Sequence, residues 1–444
     1  MNRRAFLGAA SAGGLAIRSA GDEEKLVRVG IIGTGNRGRS LLGVLLRMKD
    51  VAIPALCDVD TANLERAESA VVKSGRARPE AHSRGEDDYR RLLGREDLDA
   101  VLIATPWKWH AAMAVEGMKA GKYVAVEVPA AQTLEECWEL VETQERTRVP
   151  GMMLENWSFR RDNLAVLNMI RQGLLGEMVH CHCAHSHDCI DHWFWDPQGN
   201  ERWGARYLIN RNCDQYPTHS LGPVLSWLDI NCGDSFASIV SVATSQRGIH
   251  AYFARKFGPD HPNAKREYAQ GDIVTSLVRT QKGRTVVINY DMQLPRPYDN
   301  RWMIQGTLGL YDEDKGAVYL EGRSPKYHEW EPFAPYQERN EHAWWKSLRE
   351  QAAAAGHGGT DDLEFREFIR AVRDRAPTPL DIYDSVTMYD HPAIGRIHQQ
   401  ERRPNSLPRF HPRPVEDQEA VFRCGEHGLT GTLDSLGSRA PALP

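Results

Sequence analysis

A glycine-rich turn between a short apolar run and an apolar helical stripe restricts this chain to few folds. Residues 27–32 read Val-Arg-Val-Gly-Ile-Ile, residues 33–38 read Gly-Thr-Gly-Asn-Arg-Gly, and residues 41–46 are apolar apart from one glycine. A strand, this Gly-x-Gly-x-x-Gly spacing and a helix predict the first βα unit of a dinucleotide-binding Rossmann fold. The first glycine permits the tight turn, the second lets a pyrophosphate approach the backbone, and the third lets the helix lie against the strand. We therefore expect Gly33, Gly35 and Gly38 to bind the cofactor.

A carboxylate after the second apolar run favours NAD as that cofactor. Residues 51–56 form the run, and Cys57-Asp58 follows it. Asp58 lies where a carboxylate accepts hydrogen bonds from the adenosine ribose diol. The same charge repels a 2′-phosphate, and Val59-Asp60 supplies no compensating arginine, so NADP is disfavoured.

The strand–helix alternation continues to about residue 150. Strands are predicted at 99–104 and 123–128 with a helix at 111–120 between them, and Trp107-Lys108-Trp109-His110 follows the first of these strands. Open parallel sheets bind ligands at the carboxyl edge of their strands. We expect Trp107, Trp109 and His110 to border the nicotinamide or its ribose, although either tryptophan could instead cap the core.

After residue 150 the pattern changes to alternating apolar and polar runs. These runs span residues 178–187, 236–244, 273–280, 284–292 and 301–307, and a hairpin is predicted at Lys282-Gly283. Few helices intervene, which implies a largely antiparallel sheet. Helices return at 343–351 and 361–372, where Asp361 and Glu364 predict a capping-box start. The predicted fold class is α/β: a Rossmann doubly wound parallel sheet plus a C-terminal α/β domain with a large, mostly antiparallel open sheet.

The ends of the chain differ from this folded region. Arg3-Arg4 precedes a weakly apolar run rich in glycine and alanine, the pattern of a twin-arginine export signal, so the expected destination is the periplasm. The predicted organisation is an export signal at 1–24, a dinucleotide-binding Rossmann domain at 25–150, a substrate-binding α/β domain at 151–400 and an extended arm or tail at 401–444.

Composition excludes two classes of partner. The 444 residues include 55 basic and 60 acidic side chains, a formal net charge of -5, and they form no basic stripe that would suggest nucleic acid. No apolar run approaches the ~18 residues of a membrane span. The eight cysteines include no Cys-x-x-Cys pair, and Cys57 and Cys137 fit apolar core patterns.

One histidine stands out as a candidate base. Tyr216-Pro217-Thr218-His219 opens an apolar helical stripe. A histidine in a first helical turn lies at the positive end of the dipole, which disfavours imidazolium and keeps a neutral base available. The alternative is that His219 only caps its helix.

Residues 180–192 hold five histidines and three cysteines, so this run is a candidate metal site. On a strand, His180 and His182 would share one face, and Cys181, Cys183, His185 and His187 the other. Such spacing can bind a transition metal, but a strand lining a polar sugar pocket also uses histidine. We assign no metal ligand here.

Several motifs, dispersed along the chain in one order, resemble a known family. They are 33–38, Asp58, 107–110, 127–131, 154–156, 160–162, 216–219, 295–298 and 356–359. Over residues 27–400 the chain resembles the glucose–fructose oxidoreductase, inositol dehydrogenase and MocA superfamily. Within it, the chain is most similar to glycoside hydrolase family 109, NAD-dependent glycosidases typified by α-N-acetylgalactosaminidase.

The resemblance implies two sets of site residues. NAD would be bound by Asn36, Arg37, Asp58, Trp107, Lys108, Trp109, His110, Glu127, Val128 and Asn156 in addition to the glycines. A carbohydrate or glycoside would be bound by His185, Tyr216, Pro217, Thr218, His219 and Tyr298, of which His219, Tyr298 and Tyr216 are the catalytic candidates. The superfamily also suggests, by analogy, a homo-oligomer.

The chain departs from the superfamily pattern at three positions. Val128 stands where dehydrogenases carry a lysine between the glutamate and the proline, and His185 stands where the family tends to have a tyrosine. Trp203-Gly204 replaces a tryptophan followed by arginine, with Arg202 and Arg206 as candidate substitutes.

The implied chemistry is redox-neutral glycoside hydrolysis. A hydride passes from sugar carbon 3 to NAD while His219 or Tyr298 accepts the hydroxyl proton. The resulting ketone acidifies the proton on carbon 2, the aglycone leaves carbon 1, water adds, and the hydride returns. No paired carboxylates are required. The alternatives are a sugar oxidoreductase with net redox turnover and a non-catalytic sugar-binding or scaffold protein with structural NAD.

Overall fold

The computed structural model describes residues 26–350, 357–394 and 405–406. The predicted export signal lies outside the described residues, as does the predicted tail apart from residues 405–406. None of the helices within the described ranges is long and apolar enough to cross a membrane.

The first half is built on six parallel strands. They are β1 (Val27–Ile32), β2 (Val51–Cys57), β3 (Glu80–His82), β4 (Ala100–Ile103), β5 (Tyr123–Val126) and β6 (Gly151–Met153). The helices are α1 (Asn36–Leu45), α2 (Thr61–Lys73), α3 (Tyr89–Leu93), α4 (His110–Lys119) and α5 (Leu134–Thr147). Their strand order, β3-β2-β1-β4-β5-β6, is that of a Rossmann sheet, in which ligands bind where β1 and β4 are neighbours.

The second half is built on a nine-stranded sheet. Its strands are β7 (Met178–Ser186), β8 (Phe236–Ala243), β9 (Ile273–Thr280), β10 (Thr285–Asp291), β11 (Met303–Gly306), β12 (Gly309–Asp312), β13 (Ala317–Leu320), β14 (Glu331–Pro332) and β15 (Asn405–Ser406). The order is β14-β13-β12-β11-β7-β10-β9-β8-β15, and among these strands only β7 and β10 pair in parallel. The predicted fold class is confirmed, and so is the hairpin, which joins β9 to β10.

Nine helices within the described residues belong to the second half, and several of them pack against the first half. They are α6 (Arg161–Arg171), α7 (Ala205–Asn210), α8 (Thr218–Leu228), α9 (Gly248–Phe257), α10 (Pro262–Lys265), α11 (Ala334–Arg339), α12 (Ala343–Glu350), α13 (Thr360–Asp374) and α14 (Ile382–Ile394). Single 3-10 turns lie at Trp107–Trp109, Asn156–Phe159 and His357–Gly359, and a wider π-helical turn at Ile190–Phe194. Helix α8 contacts both β7 and the turn after β6, and α13 contacts that turn and α1. This packing brings α8 and β7 to the carboxyl edge of the first sheet.

The predicted capping box at the start of α13 is wrong. The helix begins at Thr360, its N-cap is Gly359, and no side chain caps it. Asp361 lies inside the first turn instead, and its carboxylate binds Arg37 and Asn156 across the molecule. A long-range ion pair therefore takes the place of a local cap.

The described cysteines form no disulfide. Cys57 and Cys137 are buried, as the apolar pattern predicted.

The glycine turn after β1 is sterically exacting. Gly33 has φ +89°, and a Cβ there would lie 2.5 Å from the Ala104 carbonyl oxygen. A Cβ at Gly38 would lie 2.0 Å from the Gly33 carbonyl oxygen, so α1 can approach β1 only without a side chain. Gly43, on the same helix, has open space around it.

Substitution of these two helical glycines should have opposite effects. Gly38→Ala forces the backbone of the turn apart and should lower the free energy of unfolding by about 1–3 kcal/mol. Gly43→Ala should raise it by roughly 0.5–1 kcal/mol, because alanine is the better helix former. Urea unfolding of both variants checks this expectation, and equal effects would contradict the packing described.

Candidate active site

An open stretch of backbone lies beside a carboxylate at the edge of the first sheet. Asp58 Oδ2 accepts hydrogen bonds from the Thr34 N–H at 2.6 Å and the Thr34 hydroxyl at 3.0 Å, and its Oδ1 accepts from the Asp60 N–H at 2.9 Å. A carboxylate oxygen accepts about two hydrogen bonds, so Oδ1 can accept one more. A Cβ at Gly35 would meet nothing within 4 Å. The turn thus offers the cradle and the acceptor that a pyrophosphate and a ribose diol require.

Three residues that the resemblance assigned to the cofactor belong to one hydrogen-bond network with the buried carboxylate of Asp361. Arg37 Nε donates to Glu127 Oε1 at 2.7 Å, and its Nη1 and Nη2 donate to the two oxygens of Asp361 at 2.8 and 3.2 Å. Asn156 Nδ2 donates to Asp361 Oδ1 at 2.9 Å. Because the Asp361 side chain is fully buried, this bidentate pair is shielded from water. The network fixes α1 to α13 and to the turn after β6.

His110 begins α4 and is buried between two backbone segments. Its ring is 1% exposed, with Nδ1 2.8 Å from the Pro129 carbonyl oxygen and Nε2 2.7 Å from the Thr105 carbonyl oxygen. Burial lowers the pKa of the imidazole. The ring nitrogens therefore face the backbone that follows β4 and β5, at the carboxyl edge of the first sheet.

The two tryptophans after β4 have different surroundings. Trp107 is buried and its ring stacks 5.9 Å from that of Tyr216, so it joins the two halves of the molecule. Trp109 is partly buried, and the Lys108 ammonium lies 4.8 Å from its ring centroid. Lys108 is exposed and lies 3.9 Å from Glu86, so its ammonium faces solvent.

A buried glutamate and a histidine form the central pair of the site. Glu155 follows β6, its side chain is fully buried, and its Oε2 lies 2.6 Å from His219 Nδ1. Glu155 Oε1 accepts from the Trp157 N–H at 3.0 Å. A carboxylate on Nδ1 keeps a proton on that nitrogen and leaves the Nε2 lone pair for a substrate. His219 does not cap α8, because Pro217 is the N-cap and no side chain bonds there.

Aromatic rings surround His219 on the substrate side. Tyr216 lies 4.8 Å and His185 5.1 Å from the His219 ring. Tyr298 lies 5.5 Å from the His185 ring, is 40% exposed, and accepts a hydrogen bond from Trp157 Nε1. These side chains come from the start of α8 and the residues just before it, from β7 and from the segment after β10, so the structure brings together the residues assigned to the sugar. Tyr298 is the most exposed of these rings, and we call its side of the cluster the open side of the cleft.

Burial sets the protonation states of the Tyr216 and His185 side chains. Burial, with Glu127 and Glu155 nearby, raises the pKa of Tyr216 well above its usual value. Burial, with His219 and His187 nearby, lowers the pKa of His185 well below its usual value. Tyr216 is therefore a neutral phenol near pH 7, and His185 is a neutral imidazole of low basicity.

The remaining site predictions lie around this cluster. Pro217 and the fully buried Thr218 begin α8, and Val128 is 3% exposed next to Glu127. Arg202 donates to the Trp195 carbonyl oxygen, while Arg206 lies over the Tyr207 ring. Neither arginine is shown at the His219 cluster, and the Trp203 ring lies 5.2 Å from Trp107 instead.

Sequence reasoning missed four residues of the site. They are Glu155, Trp157, Trp193 and Asp361. Glu155 could have been found, because a carboxylate directly after a buried strand lies at the ligand-binding edge of the sheet. Trp193, whose ring lies 4.9 Å from Tyr216, gave no periodic signal.

Comparison with known proteins assigns the chain to a family. Residues 159–411 match the family described as "Glycosyl hydrolase 109, C-terminal domain", and residues 27–154 match "Oxidoreductase family, NAD-binding Rossmann fold". The alpha-N-acetylgalactosaminidase of Tannerella forsythia is 40% identical over 83% of this chain and 82% of its own length. The chain belongs to glycosyl hydrolase family 109. A family 109 protein of Stenotrophomonas maltophilia is likewise 40% identical, over 87% of this chain and 90% of its own.

Solved structures share the fold of this family 109 glycosidase. An NAD binding oxidoreductase from Klebsiella pneumoniae superimposes with a TM-score of 0.65 at 18% identity, covering 86% of this chain and 99% of its own. A levoglucosan dehydrogenase in complex with NADH and L-sorbose superimposes with a TM-score of 0.64 at 18% identity, covering 86% of this chain and 99% of its own. At such identities the likeness shows the fold alone.

A buried carboxyl group supports the turn that leads into α8. Asp214 Oδ1 accepts from the Tyr216 N–H at 2.9 Å, and its side chain is almost wholly inaccessible. Burial raises the pKa of Asp214 to about 7, against 3.8 for the ordinary group. Between these values the unfolded chain loses the proton while the folded protein keeps it, so this group reduces stability as the pH rises.

Asp214→Asn should remove that pH dependence in the family 109 enzyme. The free energy of unfolding of the variant relative to the wild type should rise from about pH 4 to pH 7, by up to about 4 kcal/mol. Urea unfolding across this range measures the difference, with the exposed Asp314→Asn as control. A difference that stays constant with pH would show that Asp214 is ionised in the fold.

Proposed function

We propose that this family 109 enzyme holds NAD at the glycine turn and hydrolyses glycosides, α-N-acetylgalactosaminides among them, by transient oxidation of the sugar. The observation that carries the proposal is the 2.6 Å contact between Glu155 and His219 within the aromatic cluster at the carboxyl edge of the Rossmann sheet. That edge is where a dinucleotide and its substrate meet in this fold. The Tannerella forsythia relative, named alpha-N-acetylgalactosaminidase, supports the choice of sugar.

The residues present fit the cofactor. The open face at Gly35 suits a pyrophosphate, and the Asp58 carboxylate suits an unphosphorylated ribose. When bound, NAD supplies an acceptor for a hydride from sugar carbon 3 and returns that hydride within the same turnover. Glu127 and Asn156 would flank it, held in place through Arg37 and Asp361.

His219 would remove the proton from the hydroxyl on sugar carbon 3. Glu155 holds the ring by its Nδ1 and stabilises the imidazolium that forms, so Nε2 can take the proton and later return it. Tyr216, a neutral phenol, would donate a hydrogen bond to a sugar oxygen and orient the ring. Neither step needs the lysine that Val128 replaces.

The aromatic wall would keep bulk water from the oxidised sugar. Trp107 and Trp193 lie 5.4 Å apart, and both contact the Tyr216 ring. These indole faces cover the side of the cleft between the two halves of the molecule. Solvent enters past Tyr298, which is the exposed member of the cluster. An apolar wall with few polar groups is typical of sugar sites that must exclude side reactions.

The decisive experiment follows hydrolysis in deuterated water without added NAD. The purified full-length enzyme is incubated with chromogenic α- and β-glycosides, the α-N-acetylgalactosaminide among them. Oxidation at carbon 3 makes carbon 2 exchangeable, so the product should carry deuterium at carbon 2. Hydrolysis without label, or net formation of NADH from free sugar and added NAD, would falsify the proposal, and the second result would favour a sugar oxidoreductase.

Glu155→Gln isolates the role of the buried pair in the same assay. The amide keeps the size of the side chain but removes the charge that stabilises protonated His219, so kcat should fall by about 10²–10⁴ with little change in KM. Glu367→Gln, at a buried carboxylate bonded to Arg370, is the matched control and should retain kcat. Equal activity of the two variants would remove Glu155 from the mechanism.

We also propose that the chain is exported through the twin-arginine route to the periplasm. The route carries folded proteins, so a cofactor loaded in the cytoplasm could cross with the enzyme. Replacing Arg3 and Arg4 together by lysine should retain the enzyme in the cytoplasm, as measured by cell fractionation of the bacterial host. Unchanged fractionation would contradict export by this signal.

A further inference from the structure

Three metal-ligating side chains converge at the edge of the cleft. His187, Cys189 and His192 each place a donor atom within 4.8 Å of those of the other two. They lie immediately after β7 and in the Ile190–Phe194 turn. None of them is part of the Glu155–His219 pair, and none is used by the proposed mechanism.

The backbone holds two of these residues in place. The His187 N–H donates to the Asp291 carbonyl oxygen at 2.9 Å, and the Cys189 N–H donates to the Met292 carbonyl oxygen at 3.1 Å. The chain end of β10 therefore fixes the segment that carries the first two ligands. His192 follows within one helical turn, so all three donors come from six consecutive residues on an ordered scaffold.

The distances and exposure suit a tetrahedral ion with one open position. Cys189 Sγ lies 3.0 Å from His187 Nε2 and 3.4 Å from its Nδ1. Sulfur and nitrogen bound to one zinc ion stand about 3.6 Å apart, so small side-chain rotations suffice. Cys189 is fully buried, whereas the His192 side chain is 53% exposed, so the cluster opens toward solvent on one side.

The surrounding charges favour a cation. Asp188, Asp191 and Asp291 lie near the Cys189 thiol, so their negative charge attracts a cation there. Asp191 Oδ1 lies 3.8 Å from His192 Nδ1, too far for a hydrogen bond but close enough to attract a cation bound by that ring. The ammonium of Lys256 lies 3.5 Å from Asp191 and offsets part of this negative charge.

We propose that His187, Cys189 and His192 bind one Zn²⁺ ion, with the fourth coordination position open to solvent at the mouth of the cleft. One thiolate and two imidazoles form a borderline-soft donor set that prefers zinc to magnesium or calcium. The His187 ring lies 4.9 Å from the Tyr298 ring, so the ion would fix the wall against which Tyr298 packs. The site does not depend on the proposed glycosidase mechanism.

Metal content of the full-length protein tests this site. The enzyme is stripped with a chelator, titrated with Zn²⁺ and analysed for bound metal, and we expect one ion per chain. Co²⁺ in place of Zn²⁺ should give the near-ultraviolet charge-transfer absorption of a cobalt–thiolate bond. Cys189→Ser should abolish that absorption, and His192→Ala should weaken Zn²⁺ binding by at least about tenfold.

The controls use other candidate ligands of the chain. His180→Ala changes a histidine that bonds to Thr285 on the opposite face of β7, and it should leave metal binding unchanged. Cys424→Ser tests a cysteine outside the described residues and should also leave it unchanged. His192 is half exposed, so its variant should fold normally, and thermal unfolding verifies this.

Two outcomes would overturn the proposal. The first is a wild-type protein that binds well under one equivalent of Zn²⁺ at micromolar concentration and shows no cobalt–thiolate absorption. The second is Zn²⁺ binding that is undiminished in both His192→Ala and Cys189→Ser. Loss of Zn²⁺ binding in Cys424→Ser would then place the ion at a different cysteine. Because metal content is measured directly, these results are independent of glycosidase activity.

Discussion

The buried Glu155 carboxylate is the constraint around which the site is arranged. It has no solvent contact, and its two oxygens accept from the Trp157 backbone and face the His219 imidazole. A charge removed from water is tolerated only when such partners are present. Helix α8 can bring His219 to it because Gly222 lacks a side chain: a Cβ there would lie 2.8 Å from Glu155 Cγ. The helix, the carboxylate and the base therefore form one packed unit.

Much of the fold followed from local sequence patterns. The parallel strands are buried on both faces and so appear as continuous apolar runs. The Gly-x-Gly-x-x-Gly spacing identified β1 and α1 as the first unit of the sheet. The short strands β3, β12, β13 and β14 gave no usable period, because two to four residues cannot establish an alternation. Base-like character at His219 was inferred from its place in a helix, but its pairing with Glu155, 64 residues earlier in the chain, arises only in the tertiary structure.

The error at Asp361 has the same physical origin. Asp361 and Glu364 have capping-box spacing, yet the carboxylate of Asp361 is neutralised by Arg37, 324 residues earlier in the chain. A buried bidentate arginine pair is stronger than a cap at an exposed helix end. The local capping-box pattern therefore failed as a prediction, because Asp361 forms an ion pair that exists only in the tertiary structure. His185, where the resemblance leads one to expect a tyrosine, is buried, and both its ring nitrogens lack a hydrogen-bond partner within the described structure.

The Arg37 network joins the helix that follows the glycine turn to α13, which is contributed by the far end of the folded chain. For a dinucleotide bound at that turn to leave by separation of the two halves, the ion pairs of Arg37 would first have to break. Slow escape of this kind suits the proposed mechanism, in which the cofactor returns to its starting oxidation state in every cycle. Under that mechanism the enzyme would gain nothing from exchange with a cellular pool and could work at extreme dilution, far from any supply of nucleotide.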